Sequence, residues 1–158
     1  MSGCCERNEC GITAPATKCP ASDTEGASVE LQTVKALLTM TALRRFQAGR
    51  YRFCPAPACE VVYFDDEGKT FLTSDVRDGI WPKQPEGGRF LCYCFGENEA
   101  DIRAEIARDG SSRAVERVRA HIQAGRCACE VRNPRGACCP GDVIAAVNRL
   151  TAAVKMRA

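Results

Sequence analysis

The chain has 158 residues, a formal net charge of +2 from 22 basic and 20 acidic side chains, twelve cysteines and one histidine. That length allows one ordinary domain or two small ones, and two small ones need metals or cross-links because a small core buries too little surface to be stable alone. The charge is near balance and forms no basic stripe, which argues against a nucleic-acid partner, and no run approaches the eighteen or so apolar residues of a membrane span.

In chain order, residues 1–18 carry Gly, Pro, Thr and Ala without a hydrophobic period and read as a flexible tail holding Cys4, Cys5 and Cys10. MSGCCERNEC has no apolar core of a secretory signal, so the expected compartment is the cytoplasm. Thiols stay reduced there and more often bind metal than form disulfides. From Thr33, an N-cap residue, the apolar positions Val34, Leu37, Leu38, Met40, Leu43 and Phe46 predict one helix ending at Gly49. Strand-forming segments follow at residues 51–53 and 60–64, separated by the loop Cys54-Pro-Ala-Pro-Ala-Cys59. A third, at residues 70–72, comes after the turn Asp65-Asp66-Glu67-Gly68. Residues 79–89, rich in Gly and Pro, read as a linker in which Trp81 is a packing anchor between the halves. Beyond it Asn98, Ser112 and Asp142 each cap a predicted helix, and the remaining cysteines all fall near the ends of these helices. The expected fold is α+β: a small helix and β-hairpin subdomain over residues 19–78, then a small helical subdomain over residues 90–158.

The spacing of the cysteines narrows their chemistry. No two are three positions apart, which excludes a thioredoxin pair, c-type haem attachment, an ordinary zinc knuckle and a copper-binding MxCxxC loop. Cys92 and Cys94 form a CxC, and Cys127, Cys129, Cys138 and Cys139 are four candidates for two further places on an iron-sulfur cluster. Loops at helix ends suit such a centre because free backbone N-H groups there bond anionic sulfur. Residues 86–158 hold twelve Lys and Arg against nine Asp and Glu, an excess that modestly offsets the negative charge of a four-thiolate 2Fe-2S centre. In the first half, Cys19, Cys54 and Cys59 supply three thiolates of a tetrahedral zinc site.

CxC, two helices, a cysteine pair and a further helix resemble bacterioferritin-associated ferredoxin and its relatives, which hold a 2Fe-2S cluster. CPASDTEG at 19–26, FCPAPACEVVYF at 53–64, CYC at 92–94 and CEVRNPRGACC at 129–139 are together similar to the N-terminal metal domain of the CopZ family of copper chaperones. That resemblance covers residues 19–145. It implies one zinc and one 2Fe-2S cluster, with Cys92, Cys94, Cys129 and Cys139 as cluster ligands and Cys138 as the alternative to Cys139. Cys127 is left without a role. Pro134 and Gly136 make the turn that returns the chain toward Cys138 and Cys139. Where the family reads CPxC, this chain reads Cys19-Pro20-Ala21-Ser22, so the fourth zinc thiol is missing. Cys10 is the expected replacement, with Cys4, Cys5, Asp23 or a water as alternatives. His121, on a helix of the other half, is assigned a surface or packing role.

No nucleophile paired with a histidine, Gly-rich phosphate loop or paired-carboxylate signature stands out, so an enzyme is not expected. The resemblance implies an iron-sulfur and zinc redox protein of copper or other soft-metal homeostasis, with reduction of Cu(II) to Cu(I) as an implied activity. Its implied partners are soft-metal ions, a separate copper chaperone or metal-transporting ATPase, and an electron donor. Cys4 and Cys5 are candidates for capturing soft metal directly. The competing readings are a ferredoxin-like one-electron carrier unrelated to copper and a structural zinc module.

Overall fold

The computed structural model describes residues 14–157. Cys4, Cys5 and Cys10, and the expectations placed on them, lie outside the described residues. Of the segment assigned to the tail, Lys18 pairs with Glu25 in an isolated antiparallel bridge, and the Gly26 N-H donates to Thr17 O at 2.8 Å.

The first half is built on a four-stranded antiparallel sheet in the order β1 (Ala27–Val29), β2 (Tyr51–Phe53), β3 (Val61–Asp65) and β4 (Thr70–Leu72). The hairpin read from the sequence is therefore extended by one strand, which pairs Ala27 with Phe53 and Val29 with Tyr51. Strand β3 is buried along its whole length, and its pairing with β4 shifts register between Val61 and Tyr63. An extra residue at such a bulge breaks strict alternation of side chains. Val62 and Tyr63 accordingly both join the main core with Val34, Leu37, Leu38, Phe53 and Phe71, while Val61 and Phe64 pack with Cys19 and Cys54. Gly26 makes this second cluster possible: a Cβ there would stand 2.5 Å from the Phe64 ring. The tight turn at Asp65 forms as expected, with its carboxylate accepting from the Glu67 and Lys69 N-H groups and Gly68 at φ 84°.

The single helix expected from Thr33 to Gly49 is instead two, α1 (Leu31–Leu37) and α2 (Met40–Leu43). The break has a physical cause. Leu38 leaves the helix to bridge Val76, and the Thr39 N-H donates to Asp75 O at 2.8 Å. Thr39 then caps α2, accepting from the Ala42 N-H at 3.2 Å. The kink lets Leu37, Leu38 and Ala42 all enter the core, whereas Met40 and Leu43, expected inside, are exposed. Thr33 is not a cap: it is fully buried within α1 and its hydroxyl donates to Glu130 O at 2.6 Å.

The second half opens with a two-stranded hairpin, β5 (Phe90–Cys92) and β6 (Glu97–Asn98), followed by α3 (Glu99–Asp109), α4 (Ala114–Gln123), α5 (Cys129–Arg132) and α6 (Pro140–Lys155). Asn98 caps α3 as expected, and Gly110 ends it at φ 77°. The Ser112 hydroxyl accepts from the Ala114 N-H at the start of α4. Asp142 is not the cap of the last helix. That helix begins at Pro140, whose fixed φ and missing N-H suit a first turn, and Asp142 pairs with Arg135. Ile102, Ile106, Val118, Val143 and Leu150 form this half's core. Trp81 packs against that core, with the Arg135 guanidinium 4.9 Å from its ring.

The halves meet at α1 and the turn after α5. Besides the Thr33 bond to Glu130, the buried Tyr63 hydroxyl donates to Pro134 O at 2.7 Å. Gly136, at φ 65°, lies where a Cβ would stand 2.9 Å from Thr33 Oγ1. No helix among the described residues is long and apolar enough to cross a membrane.

Candidate metal centres

The first centre is assembled from two turns. In one, the Asp23 N-H donates to Cys19 O at 2.8 Å and the Cys19 N-H to Thr24 O at 2.9 Å, so that residues 19–24 close on themselves with Asp23 at φ 55°. In the other, Cys54 leaves β2 with its N-H on Val62 O, and Pro55 and Pro57 stiffen the loop that returns as Cys59. The Sγ atoms of Cys19, Cys54 and Cys59 all lie within 4.8 Å of one another, and Cys19 to Cys59 is 3.8 Å. Two thiolates on one tetrahedral zinc stand about 3.8 Å apart, from a Zn-S distance of about 2.3 Å. Three of the four residues expected at the zinc are thus brought together.

Asp23, an alternative fourth ligand, points away. Its carboxylate is largely exposed and pairs with Lys18 at 3.4 Å. His121 is on α4 and stacks on Phe95 at 4.3 Å between ring centroids, a packing role. Two groups not assigned as ligands from the sequence do reach the centre. The Ser22 Oγ lies 3.4 Å from Cys54 Sγ. The Lys83 ammonium donates to Ala56 O at 2.7 Å and Cys59 O at 2.8 Å, within the field of all three thiols. Ser22 had a legible signal, three residues after Cys19 and two after Pro20. Lys83 had none, being 24 positions from Cys59.

The electrostatics suit a bound cation. Burial alone would raise the Cys19 thiol, but hydrogen bonds from the Ser22 hydroxyl, the Ala21 and Ser22 N-H groups and Cys54 outweigh it and bring the thiol down to about 7. Burial pushes the Cys54 thiol up. Lys83 is shifted down, mainly by burial and against the pull of the thiols. A divalent cation relieves the cost of holding several thiolates together in a buried place.

The second group of cysteines converges at the end of the second half's core. The β5–β6 hairpin carries Cys94 at its tip, closed by the Gly96 N-H on Cys92 O at 2.9 Å. Cys94 Sγ lies 3.7 Å from Cys129 Sγ and accepts from the Ala128 N-H at 3.3 Å. Cys92 and Cys139 form another neighbouring pair. The Cys139 thiol lowers that of Cys92 to about 7, against the effect of burial, while Cys92 and burial push Cys139 up. Burial and the neighbouring Cys94 raise Cys129. Cys92 and Cys139 are buried; Cys138 is exposed, though close enough to Cys129 and Cys139 to act on both. Cys127 is half-buried. Among the described residues no third metal-binding side chain falls within 4.8 Å of both members of either pair, unlike the trio around Cys19.

Residues 16–77 match a family profile described as a zinc binding domain and named for CopZ. The chain is 31% identical over 123 residues to the copper chaperone CopZ of Archaeoglobus fulgidus, a match covering 77% of this chain and 57% of that protein. The chain thus spans little more than half the length of that curated relative. It also superposes on the crystal structure of the N-terminal domain of the same CopZ, with a TM-score of 0.64 and 32% identity over 77% of this chain and 91% of the other. An α+β chain with antiparallel sheets, a three-thiol centre inside the zinc-binding segment, and a relative covered over nearly its full length lead to one conclusion: the chain belongs to the family of the CopZ N-terminal domain.

Proposed function

We propose that this protein serves copper or other soft-metal homeostasis as a zinc and iron-sulfur redox partner, accessory to metal delivery in the cytoplasm. The zinc-binding part is assigned to residues 19–78 and the cluster-binding part to residues 90–158, joined through residues 79–89. Cys19, Cys54 and Cys59 hold zinc, and Cys92, Cys94, Cys129 and Cys139 hold a 2Fe-2S cluster.

The observation that carries this reading is the convergence of four thiols at one end of the second half's core, Cys94 and Cys129 at 3.7 Å with Cys92 and Cys139 both buried in that core, without the single three-thiol cluster seen around Cys19 among the described residues. A mononuclear centre needs all its donors within one tetrahedron, as around Cys19, whereas a centre with two irons takes two thiolates on each. The burial of Cys139 and exposure of Cys138 favour Cys139 as the ligand. Backbone donation from Ala128 to Cys94 stabilises negative sulfur, and Cys94 at a hairpin tip is the half-exposed member of the set, the side from which an electron partner approaches.

A 2Fe-2S cluster held by these four residues would supply one-electron chemistry of the kind that reduction of Cu(II) to Cu(I) by an external reductant requires. The residues' part is to hold the four sulfurs, exclude water behind Cys92 and Cys139, and keep Cys94 near the surface. The N-terminal thiols Cys4, Cys5 and Cys10 are soft ligands suited to Cu(I).

Dithionite-reduced protein, freed of excess reductant and mixed anaerobically with one equivalent of Cu(II) and a Cu(I)-specific chelator, is expected to give about one Cu(I) per chain. The oxidised visible spectrum should return in step. A reduced protein that keeps its electron with Cu(II) present favours the ferredoxin-like carrier instead. Cu(I) titration of a Cys4, Cys5 and Cys10 triple serine variant then tests whether these thiols capture the metal.

A further inference from the structure

The position at which the family carries its fourth zinc thiol is Ser22 in this chain. The Ser22 Oγ stands 3.4 Å from Cys54 Sγ, and Cys19 and Cys59 are 3.8 Å apart, with all three sulfurs within 4.8 Å of one another. A tetrahedral site with Zn-S of about 2.3 Å and Zn-O of about 2.0 Å requires S···S edges of about 3.8 Å and S···O edges of about 3.5 Å. The observed separations match both edge lengths. The 19–24 turn aims Ser22 at the thiols even though its neighbour Asp23 turns outward to Lys18.

We propose that the Ser22 hydroxyl is the fourth ligand of the zinc, making an S3O site in place of the family's four thiols. This rests on the zinc reading above and adds a ligand to it. Oxygen is the weaker partner for a zinc already holding three thiolates, so the Ser22 corner is the position at which ligands exchange. A cavity of about 400 Å³ lies on that side, lined by Ala21, Ser22, Ala56, Ala58, Cys59 and Val61 among others. Its lining gives a thiol on a short apolar stem a route to the metal. The ligand class expected to enter is therefore a thiolate, which displaces the hydroxyl as the proton leaves the incoming thiol for solvent. Lys83, whose ammonium caps the carbonyls of Ala56 and Cys59, balances the charge of the thiolates while this happens.

The test is zinc-edge X-ray absorption on the full chain, paired with chelator competition. Wild type is expected to show three sulfurs at about 2.3 Å and one oxygen at about 2.0–2.2 Å. Ser22→Cys should convert this to four sulfurs. Ser22→Ala should release zinc to a chelator roughly ten-fold or more faster, within the range seen when a metal site loses a supporting group, and Ser22→Thr should restore most of the retention. The Cys4, Cys5 and Cys10 triple serine variant should leave the wild-type shell unchanged. Adding 2-mercaptoethanol should replace the oxygen by a fourth sulfur in wild type and leave Ser22→Cys unaltered. A wild-type shell of four sulfurs that falls to three in the triple serine variant overturns the assignment of Ser22 while keeping the zinc. Ser22→Ala retaining zinc as well as wild type also overturns it, and a chain that binds no zinc removes both readings.

Discussion

The contact between the halves is open to a sharp test at Tyr63. Its ring is fully buried and its hydroxyl donates to Pro134 O at 2.7 Å, and burial pushes the phenol's pKa up, so it remains a donor across the accessible pH range. Tyr63→Phe keeps the ring and removes only the hydroxyl, which leaves the Pro134 carbonyl without that partner. An orphaned buried acceptor costs about 1–3 kcal/mol. With about 2 kcal/mol as the middle of that range, Tm should fall by about 4–8 °C for a chain of this size. The Thr33 hydroxyl makes the other bond across the contact, to Glu130 O, and Gly136 sits against the same side chain. If α5 and the following turn dock as one unit, Thr33→Val and Tyr63→Phe will be coupled by at least about 0.5 kcal/mol. Differential scanning calorimetry of both single variants and the double variant, all metal-loaded, measures this. A Tyr63→Phe protein melting within 1 °C of wild type would refute the claim that this bond ties the halves together.

Further outcomes follow from the same geometry. Cys94→Ser and Cys129→Ser should lose cluster absorbance while Cys127→Ser keeps it, read from the visible spectrum of anaerobically purified protein. Lys83→Met should speed zinc loss to a chelator by about ten-fold, because groups that support metal ligands contribute on that scale. Gly136→Ala should destabilise by about 1–2 kcal/mol from the left-handed backbone alone, with more from the approach to Thr33, measured by urea unfolding. Arg117 and then Ser112 hold Glu105 down to about 2, so the stability from this pair is complete above about 4.5 and is lost as pH falls toward 2. Glu105→Gln should therefore show a shallower loss of stability between pH 4.5 and 2 than wild type.

What the sequence made legible was chiefly what local chemistry decides. The Asp65–Gly68 turn, the Asn98 cap and the Gly110 stop depend on residues close in the chain, and all three formed. The break after Leu37 was not legible. It depends on Leu38 pairing with Val76 and on Thr39 bonding to Asp75, partners nearly forty residues away that no helical period reveals. Asp142 has a capping residue's chemistry, but Pro140 starts the helix earlier and Arg135 takes the carboxylate. At the zinc site, the convergence of Cys19, Cys54 and Cys59 was readable from the chemistry of the donors. Ser22 was visible only as a thiol that was missing. Its approach to Cys54 comes from the closure of the 19–24 turn, and the arrival of Lys83 comes from packing of a distant segment.

The proposed function requires two different metal centres in one chain. Iron, acid-labile sulfide and zinc per chain, determined on anaerobically purified protein together with the EPR spectrum after dithionite reduction, test it most directly. About two irons, two sulfides and one zinc are expected, with the signal of a single reduced 2Fe-2S cluster. A colourless protein with zinc but neither iron nor sulfide would contradict it.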